Sequence, residues 1–356
     1  MPMRETLERS APKNNPITLT LLLAFLLSPL ALALPPLGHE VPGDADAPAG
    51  WSVDAGEGAA THELGEARLL TRGGRLVGVT GTVRGGSDGA AALAALLAAA
   101  RGGGEDLVRD LEHYLTSGEA QAFTRVDNAL LSLRESFEGV EFDFSLIQLA
   151  PGDFRRARHA LNPDGAVPVR VYGDVAAPET AAFLTGVFPQ LAARAGEAGV
   201  RVEYHHAPVS GAGAGVLAAE ASECVAAGNP AGGFWPYLEL LARERSAWVS
   251  MPSPQAYFAE AARRLGLDAP GVSGCIAERL ALREIAAARE AAENLGLAAR
   301  PTVFVGGFLM TDASDMGELA RLAALAGTVA DEPAASEGGE ADALPLDPIG
   351  EGDPAD

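Results

Sequence analysis

One stretch in the second half of the chain limits the possible folds more than any other feature. Residues 167–172 form an apolar strand pattern, residues 178–195 an amphipathic helix pattern, and residues 200–206 a second strand pattern. Pro178 stands at the start of the helix, where proline is tolerated because the N–H that it lacks would have no helical partner there. This strand–helix–strand order predicts an α/β fold.

A run of helices and then a hairpin follow this unit. The predicted helices cover residues 216–227, 234–247, 253–265, a short stretch near Cys275 and residues 279–295; two strands follow at 301–305 and 308–310, and a last helix at 314–326. Gly306 and Gly307 form the predicted tight turn between these two strands.

The residues before this domain have a different pattern. The predicted elements are a hairpin over residues 68–83 that turns at Gly73 and Gly74, helices over 88–100 and 105–115, and a half-buried strand over 140–146 with residues 130–133 as its partner. No catalytic constellation stands out among them. Residues 51–161 are therefore predicted to form a small mixed α/β domain for dimerisation or for use as an adaptor.

Several ordered motifs between residues 162 and 327 resemble those of the DsbA-like thiol-disulfide oxidoreductases. The motifs are Tyr172-Gly173-Asp174 at a strand end, Pro178 and Phe183 in the next helix, His205-His206-Ala207-Pro208 at the second strand end, Cys224 and Phe234-Trp235 in the first inserted helices, and Arg300-Pro301 before the hairpin. The resemblance implies a thioredoxin-like fold with a helical insertion at about residues 212–296, preceded by the small mixed α/β domain.

The two redox cysteines of that family are absent. Their positions are Ala177 and Thr180, with Pro178 and Glu179 between them. A strand–helix junction of this kind favours thiolates, phosphates and carboxylates. However, thiol–disulfide exchange needs a thiolate that attacks and a second thiol that resolves the mixed disulfide. A methyl group and an alcohol can do neither, so residues 177–180 are predicted to be a degenerate site without a catalytic residue.

Pro301 resembles the proline that faces the active site of thioredoxin folds, where the preceding peptide bond is cis. The resemblance implies a cis-proline loop at Arg300 and Pro301, whose exposed backbone could pair with an extended peptide. Two interpretations of Arg300 stay open. Its side chain contacts Glu179, Asp174 or an acidic ligand, or it is a surface arginine that shields the degenerate site.

Cys224 and Cys275 are the two cysteines of the chain. They lie on different predicted helices, whereas a rapidly exchanging dithiol generally uses close spacing. Related proteins can carry a second, non-catalytic disulfide in the helical insertion, so the resemblance implies a structural disulfide here. Two buried free thiols and a redox-active pair are the alternatives.

Residues 17–34 form one apolar run behind a polar, basic leader. The run ends in Ala31-Leu32-Ala33, a small-x-small pattern that suits a signal peptidase. Residues 1–34 are therefore predicted to be a cleaved signal peptide or an uncleaved N-terminal anchor, and a buried helix is the third alternative. Either main interpretation places the rest of the chain outside the cytoplasm, in the periplasm or cell envelope or as a secreted protein.

The charge distribution excludes one class of partner and predicts two unstructured segments. The formal net charge of −22 excludes sequence-independent nucleic-acid binding, which needs clustered Lys and Arg. Residues 35–50 are rich in Pro, Gly and Asp and are predicted to be a linker. Residues 328–356 carry nine acidic and no basic side chains and are predicted to be a disordered tail.

Together these features predict an exported DsbA/thioredoxin-like protein without the catalytic cysteine pair. The leading hypothesis is a peptide-binding, chaperone-like or scaffold protein of the cell envelope, with unfolded or extended polypeptides as clients and residues 17–34 as a candidate membrane tether. No cofactor is predicted, because adjacent His205 and His206 point to opposite faces of their strand and cannot chelate one metal. A residual oxidoreductase that uses Cys224 and Cys275, and a structural assembly protein, are the alternatives.

Overall fold

The computed structural model describes residues 34–41, 47–209, 211, 213–230, 232–297 and 301–330. Of the predicted export segment only Leu34 falls within these ranges, and residues 331–356 of the predicted tail lie outside them. Within the described ranges, no helix has both the length and the apolar character needed to cross a membrane.

The first half of the described chain forms one antiparallel sheet. Its strands are β1 (Ser52–Asp54), β2 (Ala59–His62), β3 (Gly65–Arg72), β4 (Arg75–Val83), β5 (Phe123–Val126), β6 (Ala129–Ser136) and β7 (Gly139–Leu146), in the order β1-β2-β3-β4-β7-β6-β5. Helices α1 (Ser87–Arg101) and α2 (Glu105–Thr116) connect β4 to β5. The two predicted hairpins and both predicted helices are confirmed.

Helix α1 supplies much of the core of this first unit. It consists largely of alanine and leucine, which are among the best helix formers. Leu93, Leu96 and Leu97 are almost fully buried and belong to the same core as Val79 and Phe144 of the sheet. Burial of side chains this large stabilises the unit by about 1.5–3 kcal/mol each.

The second half contains a mixed sheet with the order β12-β11-β9-β10-β8. Its strands are β8 (Ala160–Leu161), β9 (Val167–Gly173), β10 (Val200–His206), β11 (Thr302–Val305) and β12 (Phe308–Leu309). Strands β9 and β10 are parallel and the other neighbours are antiparallel. A parallel central pair with an antiparallel hairpin at one side is the thioredoxin-like arrangement that the resemblance implied.

Helices join and cover this second sheet. They are α3 (Pro178–Gly186) and α4 (Phe188–Arg194) between β9 and β10, then α5 (Ala214–Gly228), α6 (Phe234–Arg243), α7 (Arg245–Trp248), α8 (Gln255–Arg264), α9 (Ala269–Ala277) and α10 (Leu282–Asn294) between β10 and β11, and finally α11 (Met316–Ala330). The helices from α5 to α10 form the predicted insertion.

Two predicted helices are each divided in the structure. The helix predicted over residues 178–195 ends at Gly186 and restarts at Phe188, because Pro189 has no N–H to donate to the preceding turn. The helix predicted over residues 234–247 is interrupted at Glu244. After this break Trp248 turns back into the core, where its indole N–H donates to the carbonyl oxygen of Leu241 at 2.9 Å.

The start of the predicted linker is in fact packed against the first unit. Leu34 is 2% exposed and lies in the first core. The N–H of Leu37 donates to Ala100, and Gly38 and His39 exchange backbone hydrogen bonds with Leu76. We call residues 34–41 the N-terminal arm. The linker prediction was wrong here because Pro and Gly content was read as flexibility, although it also suits an extended segment that lies along a strand.

Residues 147–161, which we call the connecting segment, lie against the second sheet. Leu149 donates to the carbonyl of Gly307, and Leu309 donates to that of Ile147. The segment ends in β8, which pairs with β10 at the edge of the sheet. Residues 147–161 thus pack mainly on the thioredoxin-like unit, although they were predicted as the end of the domain over residues 51–161. At the start of the segment, Ile147 also donates to the carbonyl oxygen of Asn128 in the first unit.

The predicted tail also begins later than residue 328. Helix α11 continues to Ala330, and the hydroxyl of Thr328 donates to the carbonyl oxygen of Leu325. Disorder is therefore the wrong prediction for residues 328–330. All nine acidic side chains of the predicted tail lie after residue 330.

Cys224 on α5 and Cys275 on α9 form a disulfide with a Cα–Cα distance of 5.8 Å. The bond closes a loop with a sequence separation of 51, which contains α6, α7 and α8. Cys224 is 4% exposed and lies in the core of the second unit. The bond therefore fastens two helices that already pack on each other.

We expect the joint substitutions Cys224→Ser and Cys275→Ser to lower the free energy of unfolding by about 4 kcal/mol, because the disulfide restricts the unfolded loop. Urea unfolding of the oxidised protein and of the double variant measures this difference. A reducing agent should destabilise the natural protein to the same extent and leave the double variant unchanged. Equal stability of the oxidised and reduced natural protein would contradict a structural disulfide.

Candidate functional site

The candidate site lies where β9 ends and α3 begins. β9 ends at Gly173, Ala177 precedes the helix, and Pro178 is its first residue. No side chain caps the helix, since Ala177 carries only a methyl group. Residues 177–180 therefore lie at the positive end of a helix dipole.

The carboxylate of Asp174 holds this junction in place. It is 7% exposed and accepts hydrogen bonds from the backbone N–H of Ala176 at 2.8 Å and of Val209 at 3.2 Å. A Cβ atom at Gly215 would lie 2.7 Å from either carboxylate oxygen, so α5 can begin this close to Asp174 only with glycine there. One buried side chain thus fixes the turn into α3, the loop after β10 and the start of the insertion.

The two positions of the missing cysteines are both buried. Ala177 is 8% exposed and Thr180 is fully buried. Within the described residues the hydroxyl of Thr180 has no hydrogen-bond partner. A Cβ atom at Gly173 would lie 2.6 Å from Cγ2 of Thr180, so the threonine packs directly on the strand end.

The structure brings Pro301 to the same strand end. Thr302 on β11 pairs with Tyr172 on β9, and the two strands are antiparallel. Continued by one residue, this register predicts Pro301 opposite Gly173. Thr180 packs on Gly173, and the register predicts Pro301 at the same strand end.

Two sequence-predicted features of the site cannot be placed. Arg300 lies outside the described residues, so neither interpretation of its side chain is tested. The Arg300–Pro301 peptide bond is likewise not described, and its cis geometry stays a prediction. Glu179 is exposed on the first turn of α3.

Arg245 belongs to the site and was missed in the sequence. Its guanidinium Nε donates to the carbonyl oxygen of Ala176, the residue before Ala177. The two residues are 69 positions apart, so no local pattern reports the contact. Within the described residues Arg245 forms no ion pair with a carboxylate, and it adds positive charge to the turn.

A buried polar row lies beneath the site on one face of the sheet. The rings of Tyr172 and His205 stack with their centroids 4.5 Å apart. Glu203, two residues before His205 on the same face, binds Arg170 at 3.1 Å and Arg201 at 2.7 Å. These groups are covered by the connecting segment, whose Phe154 ring lies 4.2 Å from the guanidinium carbon of Arg170.

Burial and charge shift the acidities in this row in opposite directions. Burial raises the pKa of Tyr172 to about 12. Burial of Glu203 favours its neutral form. Its contacts with His205 and Arg201 together outweigh this effect and lower the pKa of that carboxyl to about 2. The pKa of His205 is lowered, chiefly by burial, against the attraction of Glu203. A neutral imidazole thus lies beside a fixed carboxylate.

The opposite face of the sheet carries a second polar cluster, centred on Glu223 of α5. Its Oε1 lies 2.9 Å from Nε2 of His159 and 3.4 Å from Nε2 of His206. Burial opposes ionisation of Glu223, but the two imidazoles hold its pKa well below the ordinary value. His159 also stacks on Phe234 at 3.8 Å. The cluster ties the connecting segment to the helical insertion, and His205 and His206 face opposite sides of the sheet.

The charges at this turn would stabilise a thiolate, but no thiol is present there. The turn combines free helix amides with the guanidinium of Arg245, but Ala177 and Thr180 offer no group for nucleophilic attack on a disulfide. Among the residues that the structure describes, no cluster of His, Cys, Asp or Glu could hold a metal ion. The groups that remain at residues 177–180 cannot exchange disulfides.

Fold and site together define a thioredoxin-like protein with a helical insertion and an alanine and a threonine at the redox positions. No family model and no curated protein matches the chain. Solved structures do. BdbD from Bacillus subtilis is 17% identical, with 51% of this chain and 96% of that chain covered and a TM-score of 0.45.

Two further matches carry names from the family that the sequence resembles. MdbA from Corynebacterium diphtheriae, a thiol-disulfide oxidoreductase, is 20% identical over 58% of this chain and 94% of that chain, with a TM-score of 0.38. DsbA from Chlamydia trachomatis is 16% identical over 52% of this chain and 100% of that chain, with a TM-score of 0.42. The fold of the present chain is nevertheless defined by its own strand order.

We expect Thr180→Val to stabilise the protein by about 1 kcal/mol, because it removes a buried hydroxyl without a partner and keeps the shape that packs on Gly173. Chemical denaturation of both proteins measures the change. Thr185→Val is the matched control, since the hydroxyl of Thr185 donates to Ala181 at 2.9 Å on the same helix. It should not stabilise. Destabilisation by Thr180→Val would show that the hydroxyl has a partner in solution.

We expect the free energy of unfolding to fall as the pH drops from 6.5 to 5. The pKa of His205 is lowered in the folded state, so the unfolded chain takes up the proton first and the associated stability, present above pH 6.5, is lost. His205→Gln should make this slope shallower, by at most about 1.4 kcal/mol per pH unit. The same substitution at exposed His113 is the control. An unchanged slope in His205→Gln would contradict a buried neutral imidazole.

Proposed function

We propose that the protein is a non-catalytic, chaperone-like binder of extended polypeptides in the cell envelope. The observation that carries this proposal is the pairing of Thr302 with Tyr172, which brings the residue after Pro301 to the strand end on which Thr180 packs. Pro301 and Thr302 are half-buried residues, while the two sulfur positions of the resembled family hold Ala177 and Thr180. In this proposal, the surface beside Pro301 binds a peptide although no thiol remains there for disulfide exchange.

Main-chain pairing is the expected mode of binding. In this mode an extended segment pairs with backbone groups near Pro301, which requires no particular side chain in the client. The positive end of α3 and Arg245 border the same turn. Both favour carbonyl oxygens or acidic side chains in a bound segment. The site would therefore accept many unfolded sequences, as a chaperone-like protein must.

The disulfide gives little support to a residual oxidoreductase. Cys224 is almost fully buried in the core of the second unit, while Cys275 is half-buried and packs against that core. Exchange requires a thiolate to reach one of the sulfurs in line with the bond, and the burial of Cys224 blocks this approach on its side. The structural role is the better supported of the two.

Export is part of the same proposal. The apolar run over residues 17–34 and the oxidised Cys224–Cys275 pair both suit a compartment outside the cytoplasm.

We expect Ala177→Arg to abolish suppression of client aggregation, because a long side chain fills the turn next to Pro301. Light scattering of a reduced, unfolded client with and without the protein measures this activity. Ala182→Arg, which places the same residue at an exposed position of the same helix, should retain it. Pro301→Ala, which adds no bulk, should weaken client binding several-fold without abolishing folding.

The rival activity is measured on the same samples. Insulin reduction by the natural protein that disappears in the Cys224→Ser variant would replace the proposal by the oxidoreductase alternative. Equal aggregation suppression by Ala177→Arg and Ala182→Arg, with both variants folded by circular dichroism, would show that clients bind elsewhere.

A further inference from the structure

The core of the first unit is open at one end of its sheet. A pocket of about 690 Å³ lies there, between the sheet and helices α1 and α2, and we call it the core-end pocket. Val83 and Leu93 of the buried core form part of its wall. Leu115, Leu133 and Val140 also line it and are only half-buried. An apolar ligand that enters this pocket would therefore extend the core.

Small residues leave room at the entrance of the core-end pocket. Gly85 and Gly86, in the turn from β4 into α1, are exposed, and a Cβ atom at either position would meet nothing within 4 Å. Ala90 of α1 adds only a methyl group to the wall. The free volume lies within the range of small-molecule sites, roughly 300–1,000 Å³.

The wall of the pocket is aliphatic. All of its buried and half-buried lining residues are alanine, valine or leucine, and the described residues that line it include no aromatic ring. A wall of this kind offers no ring on which a flat ligand could stack. It suits a flexible alkyl chain, whose methylene groups gain free energy when they leave water.

The two charged residues that line the pocket, Arg84 and Glu135, lie on different sides of its entrance. Arg84 directly follows β4. Glu135 pairs with Val140 and Val140 pairs with Val83, so Glu135 lies two strands away from the end of β4. Two strand spacings correspond to roughly 10 Å. The entrance therefore has one positive and one negative side.

The positive side can hold an anion. In the part of the chain that the structure describes, the side chain of Arg84 has no hydrogen bond or ion pair. Helix α1 begins three residues later at Ser87 without a side-chain cap, so its first N–H groups carry positive partial charge and have no helical partner. The exposed carboxylate of Asp88 is not among the lining groups.

We propose that the core-end pocket binds a free long-chain fatty acid. The alkyl chain lies against the aliphatic wall, and the carboxylate lies between Arg84 and the start of α1. A carboxylate has two acceptor oxygens and one negative charge, which match a guanidinium and free backbone N–H groups. The site lies in the first unit, so the proposal does not depend on peptide binding at residues 177–180.

Calorimetric titration of the full chain with dodecanoate tests the site. We expect saturable binding of one molecule per chain. Dodecanol, which has the same alkyl chain and an uncharged head, should bind about ten-fold more weakly, because it loses the charged hydrogen bonds. A lack of saturable dodecanoate binding, or equal affinity for dodecanol, would overturn the proposal.

A first pair of variants tests the head-group contact. Arg84→Gln should weaken dodecanoate binding about ten-fold and leave dodecanol binding unchanged. Arg68→Gln is the matched control, since it removes the same charge from another exposed arginine of the first sheet and should leave both affinities unchanged. An equal loss of dodecanoate affinity in both variants would contradict a specific contact with Arg84.

A second pair tests the alkyl site. Ala90→Leu fills the pocket and should abolish binding of both ligands. Ala91→Leu adds the same bulk at the next position of α1, which is half-buried but does not line the pocket, and should bind like the natural protein. Circular dichroism checks that both variants are folded. Equal dodecanoate binding by the two folded variants, or displacement of dodecanoate by a reduced, unfolded client, would refute a fatty-acid site.

Discussion

The buried carboxylate of Asp174 is the interaction on which the second unit depends. A carboxylate removed from water is costly unless hydrogen bonds replace its hydration. Asp174 obtains them from backbone N–H groups on two sides, at Ala176 and Val209, while Gly215 brings the start of the insertion against it. Strand end, helix start and insertion are thereby fixed relative to one another, and with them the positions of Ala177 and Thr180.

Much of this architecture could be predicted because its signals are local. The alternating pattern of β7, the alanine-rich α1 and the proline at the start of α3 each act over a few residues, and the structure confirms these elements. The ordered motifs around Asp174 and Pro301 then indicated how the elements of the second unit assemble. The errors arose where two physical effects compete within one pattern. Pro189 interrupts an otherwise continuous amphipathic stripe, and a proline-rich arm packs where a linker was expected.

The polar interior could not be predicted, because its partners are distant in sequence. Arg245 reaches Ala176 across 69 positions, and Glu223 meets His159 across 64. Each of these side chains alone reads as an ordinary surface residue. The burial of Glu223 is tolerated because hydrogen bonds and the neighbouring imidazoles compensate for lost hydration, and this compensation exists only after folding. The sequence therefore predicted the strand–helix junction of the candidate site, but not the charged side chains that contact it.

The connecting segment also protects the edge of the second sheet. β8, at the end of that segment, covers the outer edge of β10, and without it a row of backbone N–H and C=O groups would be open to any passing strand. A thioredoxin-like unit that began at β9 would expose β10 as an edge strand, which could pair with strands of other copies of the protein. A second unit cut free just before residue 147 would keep β8 on its edge strand, whereas one cut free after residue 161 would expose that edge.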